Sequence, residues 1–100
     1  QIDGDVENVL SLVNLKAKFE AFGFTVIENK NGNNITEVIN SFTEAKENIG
    51  KGKPIVILMK TEMGQGVDYM MGTHKWHGSA PNDEQLNKAL EQLEETIGDY

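Results

Sequence analysis

Cysteine is absent from this 100-residue chain. That excludes a disulfide framework and any cysteine-based metal site. It also fits a reducing compartment, so a cytoplasmic location is the expectation. Long apolar runs are missing too. The longest, Ile55-Val56-Ile57-Leu58-Met59, falls far short of the roughly 20 residues of a membrane-spanning helix. No signal-peptide pattern is visible. Basic charge is scarce: nine Lys and Arg face sixteen Asp and Glu, leaving a formal net charge of −7. Such a chain is a poor match for a nucleic-acid backbone or an anionic membrane, and neither is expected as a partner. The one basic cluster, Gly50-Lys51-Gly52-Lys53, is too short to reverse the sign. No internal repeat or low-complexity tract appears.

What is present reads as alternating helices and strands. Hydrophobic residues make up 38% of the chain, enough for one compact core. Leu12, Leu15, Phe19 and Phe22 recur at helical spacing, and Gly23 follows where a left-handed cap is expected. Residues 24–28 read as a strand through Thr25, Val26 and Ile27. Asn31-Gly32 is a turn, and no strand follows it to make a hairpin. Ile35, Val38, Ile39 and Phe42 fall on one helical face instead, with Asn33 or Asn34 as N-cap and Gly50 as terminator. Ile55–Met59 is apolar on both faces, as a central parallel strand is. A last helix over 82–98 opens with Asn82 and Gln85 in capping-box spacing. Its stripe is Leu86, Ala89, Leu90, Leu93 and Ile97, and Gly98 closes it. Glu91, Glu94 and Glu95 read as its solvated face. The fold class is therefore α/β, a partial parallel sheet with flanking helices. Two strands are few for a free-standing sheet, and Gln1 is not an initiator residue. Both lead us to expect a piece of something longer.

Residues 61–81 form a long stretch without periodicity after the carboxyl end of an apolar strand. Open α/β sheets bind ligands there, and loops of that length are usually functional or disordered. This one holds both histidines, the only tryptophan and four glycines. Gly64-Gln65-Gly66 can let backbone approach a phosphate, or can be a simple turn. It lacks the further glycine and acidic residue of a dinucleotide site. His74 and His77 stand at H-x-x-H spacing. They can be a metal pair without a strong third ligand, two surface side chains, or imidazoles that contact an anion. The residues alone leave these open. Trp76 reads as a packing residue covering the loop against the sheet. Met63, Met70 and Met71 read as gap fillers, and Asp68 and Tyr69 as solvated.

Several segments, in order, resemble the transketolase family. Gln1-Ile2-Asp3-Gly4 is similar to the end of that family's thiamine-diphosphate motif. Ala21-Phe22-Gly23-Phe24 followed by Val26-Ile27-Glu28 resembles its Ala-Phe/Tyr-Gly-Trp stretch and the strand after it. Lys53-Pro54, Lys60-Thr61 and Gly64-Gln65-Gly66 resemble its Lys-Pro strand and Lys-Thr-x-x-Gly-x-Gly turn. Thr73-His74-Lys75-Trp76-His77-Gly78-Ser79-Ala80-Pro81 resembles its His-Gly-x-Pro loop, with wording most like the N-terminal subunit of two-chain members.

The resemblance implies the last part of a diphosphate-binding α/β domain. It implies transfer of a two-carbon ketol group between sugar phosphates in the pentose phosphate pathway. The cofactors would be thiamine diphosphate with magnesium or calcium. The implied partners are sugar phosphates and the remaining domains or a C-terminal subunit, in a dimer or heterotetramer. His77 matches the family histidine that contacts the diphosphate and the sugar, so it is the implied catalytic and cofactor-binding residue. Ile2 matches a position lining the cofactor pocket. His74 receives no role. No metal ligand is assigned within the chain, because the family's Gly-Asp-Gly and Asn segments would lie before Gln1. For that reason the isolated piece is expected to be inactive and to bind the cofactor weakly. The family's Asp-Gly-His-Asp turn is here Asn31-Gly32-Asn33-Asn34, read as a loop and helix cap. Competing expectations are a related enzyme such as deoxyxylulose-phosphate synthase, or a non-catalytic interaction fragment presenting its acidic helices.

Overall fold

A computed structural model describes residues 4–94 of the chain. Its elements run α1 (Val6–Leu10), α2 (Leu15–Ala21), β1 (Thr25–Asn29), α3 (Ile35–Glu47), β2 (Ile55–Met59) and α4 (Asp83–Gln92). They group into two compact units, one over Val6–Glu62 and one holding the chain from Met63 onward. No helix among the described residues is long and apolar enough to cross a membrane.

In the first unit β1 and β2 pair in parallel, from Thr25 opposite Ile55 to Asn29 opposite Met59. Parallel neighbours need a crossover, and α3 supplies it. The ladder is extended by one bond at each end. Thr25 N–H donates to the Pro54 carbonyl at 2.8 Å, and Lys60 N–H donates to that of Asn29 at 2.8 Å. The strands thus sit where the β-branched runs put them, with β1 one residue later than 24–28. Residues 55–59 are half-buried throughout, not enclosed on both faces. Among the described residues β2 has β1 as its one hydrogen-bonded neighbour, which leaves its other edge open.

Helix caps follow the asparagines. The Asn34 side chain accepts from Glu37 N–H at 3.1 Å and starts α3. Asn48 caps the other end, with Gly50 two residues later at φ +81°. Asn14 accepts from Ala17 N–H at 3.0 Å and starts α2. This corrects the reading of one helix from Leu12 through Phe22. Val13, at φ +53°, breaks the chain between α1 and α2, and Leu12 lies outside both. A local side-chain cap here outweighs the apolar period. Gly23 does take a left-handed φ of +86°, with its N–H donating to Glu20. Phe22 is 82% exposed, while Phe19 meets Phe24 edge-on at 5.3 Å.

Packing of α3 departs from its apolar stripe. Ile35, Ile39 and Phe42 are exposed. Val38, Ser41, Ala45 and Asn48 are the more covered positions, recurring three and four apart. Small side chains on that face let the helix approach the sheet closely. Ser41 is buried there, and its hydroxyl donates to the Glu37 carbonyl at 2.8 Å while accepting from Asn29 Nδ2 at 3.0 Å.

Candidate functional site

The carboxyl ends of β1 and β2 are built by asparagines and a glycine. Asn29, the last residue of β1, is buried. Its amide nitrogen donates to Ser41, and its oxygen accepts from Asn31 N–H at 2.8 Å. That bond bends the chain into the turn at 31–34. Gly32 N–H then donates to the Lys60 carbonyl at 2.7 Å. A Cβ on Gly32 would lie 2.9 Å from Met59 Cβ and 3.0 Å from the Lys60 carbonyl oxygen, so the approach requires glycine. Asn33 Oδ1 accepts from Glu62 N–H at 2.7 Å. The turn is therefore a cap and a clasp on the chain leaving β2, and the reading of it as a loop and helix cap stands.

Beside these strand ends lies a cavity of about 760 Å³. Leu12, Val13 and Leu15 line it from the α1–α2 link, and Lys30, Met59 and Lys60 from the strand ends. Its lining also carries both signs of charge, with Glu7 and Glu28 beside the lysines, so it selects no ligand by charge. Sequence reasoning assigns these lysines no role, although Lys60 enters it within the Lys60-Thr61 resemblance. Their legible signal is a Lys one residue beyond each strand.

Residues 61–81 contain no helix or strand, and turns succeed one another through them. The chain from Met63 is organised by side chains. Gly64 and Gly66 take φ of +71° and +94°, and Val67 N–H donates to the Gly64 carbonyl at 3.1 Å. A Cβ on Gly64 would stand 2.6 Å from Met70 Cβ, so this Gly-x-Gly is a turn folded onto its own loop. Val67 is buried.

Asp68 and Tyr69 are not free solvated residues. Asp68 N–H donates to Gln92 Oε1 at 2.7 Å, and Gln92 Nε2 donates back to Asp68 Oδ1 at 3.0 Å. Lys88 Nζ lies 3.1 Å from Asp68 Oδ2. The Gln92 and Lys88 hydrogen bonds hold the Asp68 carboxyl below its usual range. Tyr69 is half-buried, and its hydroxyl donates to the Gln85 carbonyl at 2.7 Å. Trp76 finds its partner inside the loop. Its Nε1–H donates to the Tyr69 carbonyl at 3.0 Å, and the two rings meet edge-on at 5.1 Å.

The two histidines end one turn: His77 N–H donates to the His74 carbonyl at 3.1 Å. Both are exposed. With its backbone N–H engaged, the donor that His77 can offer a ligand is its imidazole. Gly78 has nothing within 4 Å of where a Cβ would lie. Packing does not demand glycine there, so the position is open to approach from outside. Ile2 lies outside the described residues, as do Ile97 and Gly98. Among the described residues no group of three or more His, Asp or Glu could hold a metal ion. A diphosphate cofactor therefore fits in part. The exposed imidazole can donate to a phosphate oxygen, and the described residues do not gather a cation site.

Helix α4 begins as its sequence requires. Asn82 Oδ1 accepts from Gln85 N–H at 2.9 Å, and Gln85 Oε1 accepts from Asn82 N–H at 2.9 Å. It ends at Gln92, where Leu93 turns extended at ψ 134°, earlier than a closure at Gly98. Ala89 is its buried residue, while Leu86 and Leu90 are exposed.

Residues 1–96 match the family model described as transketolase, thiamine diphosphate binding domain. An apulose-4-phosphate transketolase subunit of Phocaeicola vulgatus is 35% identical over 97 residues, covering 97% of this chain and 34% of that protein. A 6-deoxy-6-sulfo-D-fructose transketolase subunit from Clostridium sp. is 32% identical over 94 residues, covering 94% of the chain and 33% of that relative. The transketolase of Physarum polycephalum is 40% identical over 63 residues, which is 63% of the chain and 9% of that protein. The chain thus spans about a third of the subunit relatives it matches.

Proposed function

The chain belongs to the transketolase family, as part of its thiamine-diphosphate-binding domain, and from that premise we propose that it serves ketol transfer between sugar phosphates. The observation that carries this reading is the match over residues 1–96, which takes in the whole turn bearing the exposed His77. In ketol transfer the bond between C2 and C3 of a ketose breaks, and the two-carbon unit bonds to the carbonyl carbon of an aldose. Thiamine diphosphate, when bound, supplies the carbon that holds the unit between donor and acceptor. This chain's contribution is narrower. His77 donates a ring N–H to an anionic oxygen of the cofactor and to a hydroxyl of the sugar. Ile2, which lies outside the described residues, would line the cofactor pocket, and no residue of this chain is assigned to the divalent cation. The names of the subunit relatives support partnership with a further polypeptide of the same enzyme. The absence of cysteine supports a cytoplasmic location.

Steady-state ketol-transfer kinetics of the enzyme that carries this chain test the reading. His77→Ala is expected to lower turnover on the order of 10²–10⁴-fold, as loss of a proton-transferring contact does. His74→Ala is expected to lower it far less. Wild-type turnover in His77→Ala overturns the assignment.

A further inference from the structure

We propose that Tyr69 is a positioning residue for His77, acting through Trp76. This rests on the reading of His77 as the ligand-contacting side chain. Tyr69 is tied at three points. Its hydroxyl reaches the Gln85 carbonyl at 2.7 Å, its own carbonyl accepts from Trp76 Nε1 at 3.0 Å, and its ring meets the indole edge-on at 63°. Lys88 Nζ stands 5.6 Å from the same ring and 3.1 Å from Asp68 Oδ2. Asp68 in turn exchanges two hydrogen bonds with Gln92.

Gln85, Lys88 and Gln92 are three and four residues apart, so one face of α4 holds both Asp68 and Tyr69. An edge-on aromatic pair contributes beyond its burial, and the indole is held at its N–H and at its ring together. Trp76 directly precedes His77, inside the turn closed by the bond from His77 N–H to the His74 carbonyl. Fixing the indole therefore fixes the peptide that carries the imidazole. On an untethered loop the imidazole would have to be ordered at each turnover, and a small misplacement of a reacting group is costly.

The test compares Tyr69→Phe, Tyr69→Ala, His77→Ala and the double variant Tyr69→Ala/His77→Ala in the assembled enzyme. Tyr69→Ala is expected to lower kcat about 10- to 100-fold with a smaller change in KM. Tyr69→Phe keeps the ring and is expected to recover most of kcat. The double variant is expected within about twofold of His77→Ala, because a residue acting through another adds nothing once that one is gone. Hydrogen exchange is the second readout. The amide of His77 should exchange faster in Tyr69→Ala and not in Tyr69→Phe. Tyr69→Leu replaces the alanine variant if that fails to assemble. Additive losses in the double variant overturn the proposal, as does wild-type kcat in Tyr69→Ala beside an impaired His77→Ala. If His77→Ala itself is silent, the functional reading falls. The exchange arm then decides whether Tyr69 holds the turn: unchanged His77 exchange in Tyr69→Ala overturns that as well.

Discussion

The two units of this chain are held by different means. In residues 6–62 the backbone does most of the binding: a five-residue parallel ladder, two capped helices, and one buried asparagine whose partners are Ser41 and the next turn. From Met63 to Gln92 no ladder exists. Two side chains of α4, Lys88 and Gln92, and the Gln85 backbone carbonyl grip Asp68 and Tyr69, and an aromatic pair carries that grip to Trp76. Regular structure satisfies its own polar groups within the repeating pattern. An irregular loop must find a separate partner for each group, so it depends on single residues.

Substitutions sharpen that contrast. The largest effect is expected from Gly64→Ala. It places a Cβ at φ +71°, 2.6 Å from Met70 Cβ and 2.8 Å from the Met70 carbonyl, where backbone cannot yield cheaply. We expect a loss of about 3 kcal/mol, from combined backbone strain and overpacking. Hydrogen exchange should show the damage confined to residues 63–78. Equal loosening of β1 and β2 would break the division into two differently held regions.

Asn29→Ala should follow, at about 2 kcal/mol in urea unfolding, because it strips partners from buried Ser41 and from Asn31 N–H together. Its damage should appear in the turn at 31–34 and the amide of Glu62, which Asn33 holds. A cost near zero would mean that the ladder alone sustains the first unit.

Acidification should give the smallest effect, read at Asp68 in the second unit. The Asp68 carboxyl is held below its ordinary value of 3.8 by hydrogen bonds from Gln92 and Lys88. A depressed carboxylate contributes stability that is present above the unfolded value and is lost as pH falls through the folded one. Wild type should therefore lose a small increment below about pH 4 that Asp68→Asn does not lose. Thermal midpoints of both proteins from about pH 5 to about pH 2 measure it. Parallel curves would remove Asp68 from the grip. The pair is exposed, so the increment is modest.

Local chemistry is legible in the chain. The apolar run Ile55–Met59 is β2 residue for residue, and Asn34 and Asn82 with Gln85 cap their helices as their spacing requires. Each depends on neighbours within a turn or a strand. The departures are of two kinds. At Val13 and Asn14 a cap interrupts a helical period, and nothing in the pattern announces α1 as a separate helix. On α3 the apolar stripe reads as the buried face, yet Ser41 is buried and Ile35 is 70% exposed. An apolar stripe marks the face that favours burial and does not say what covers it.

Residue order alone is enough for the class of the chain: alternating strand and helix, two capped helices, and a histidine-bearing loop after an apolar strand. What holds that loop is visible only once the chain is folded. Asp68 meets Gln92 across 24 positions and Tyr69 meets Gln85 across 16, while Asn33 reaches Glu62 across 29. Neither residue type nor spacing announces such pairs. They form because folded backbone leaves particular N–H and carbonyl groups facing particular side chains, and each must be satisfied where it lies.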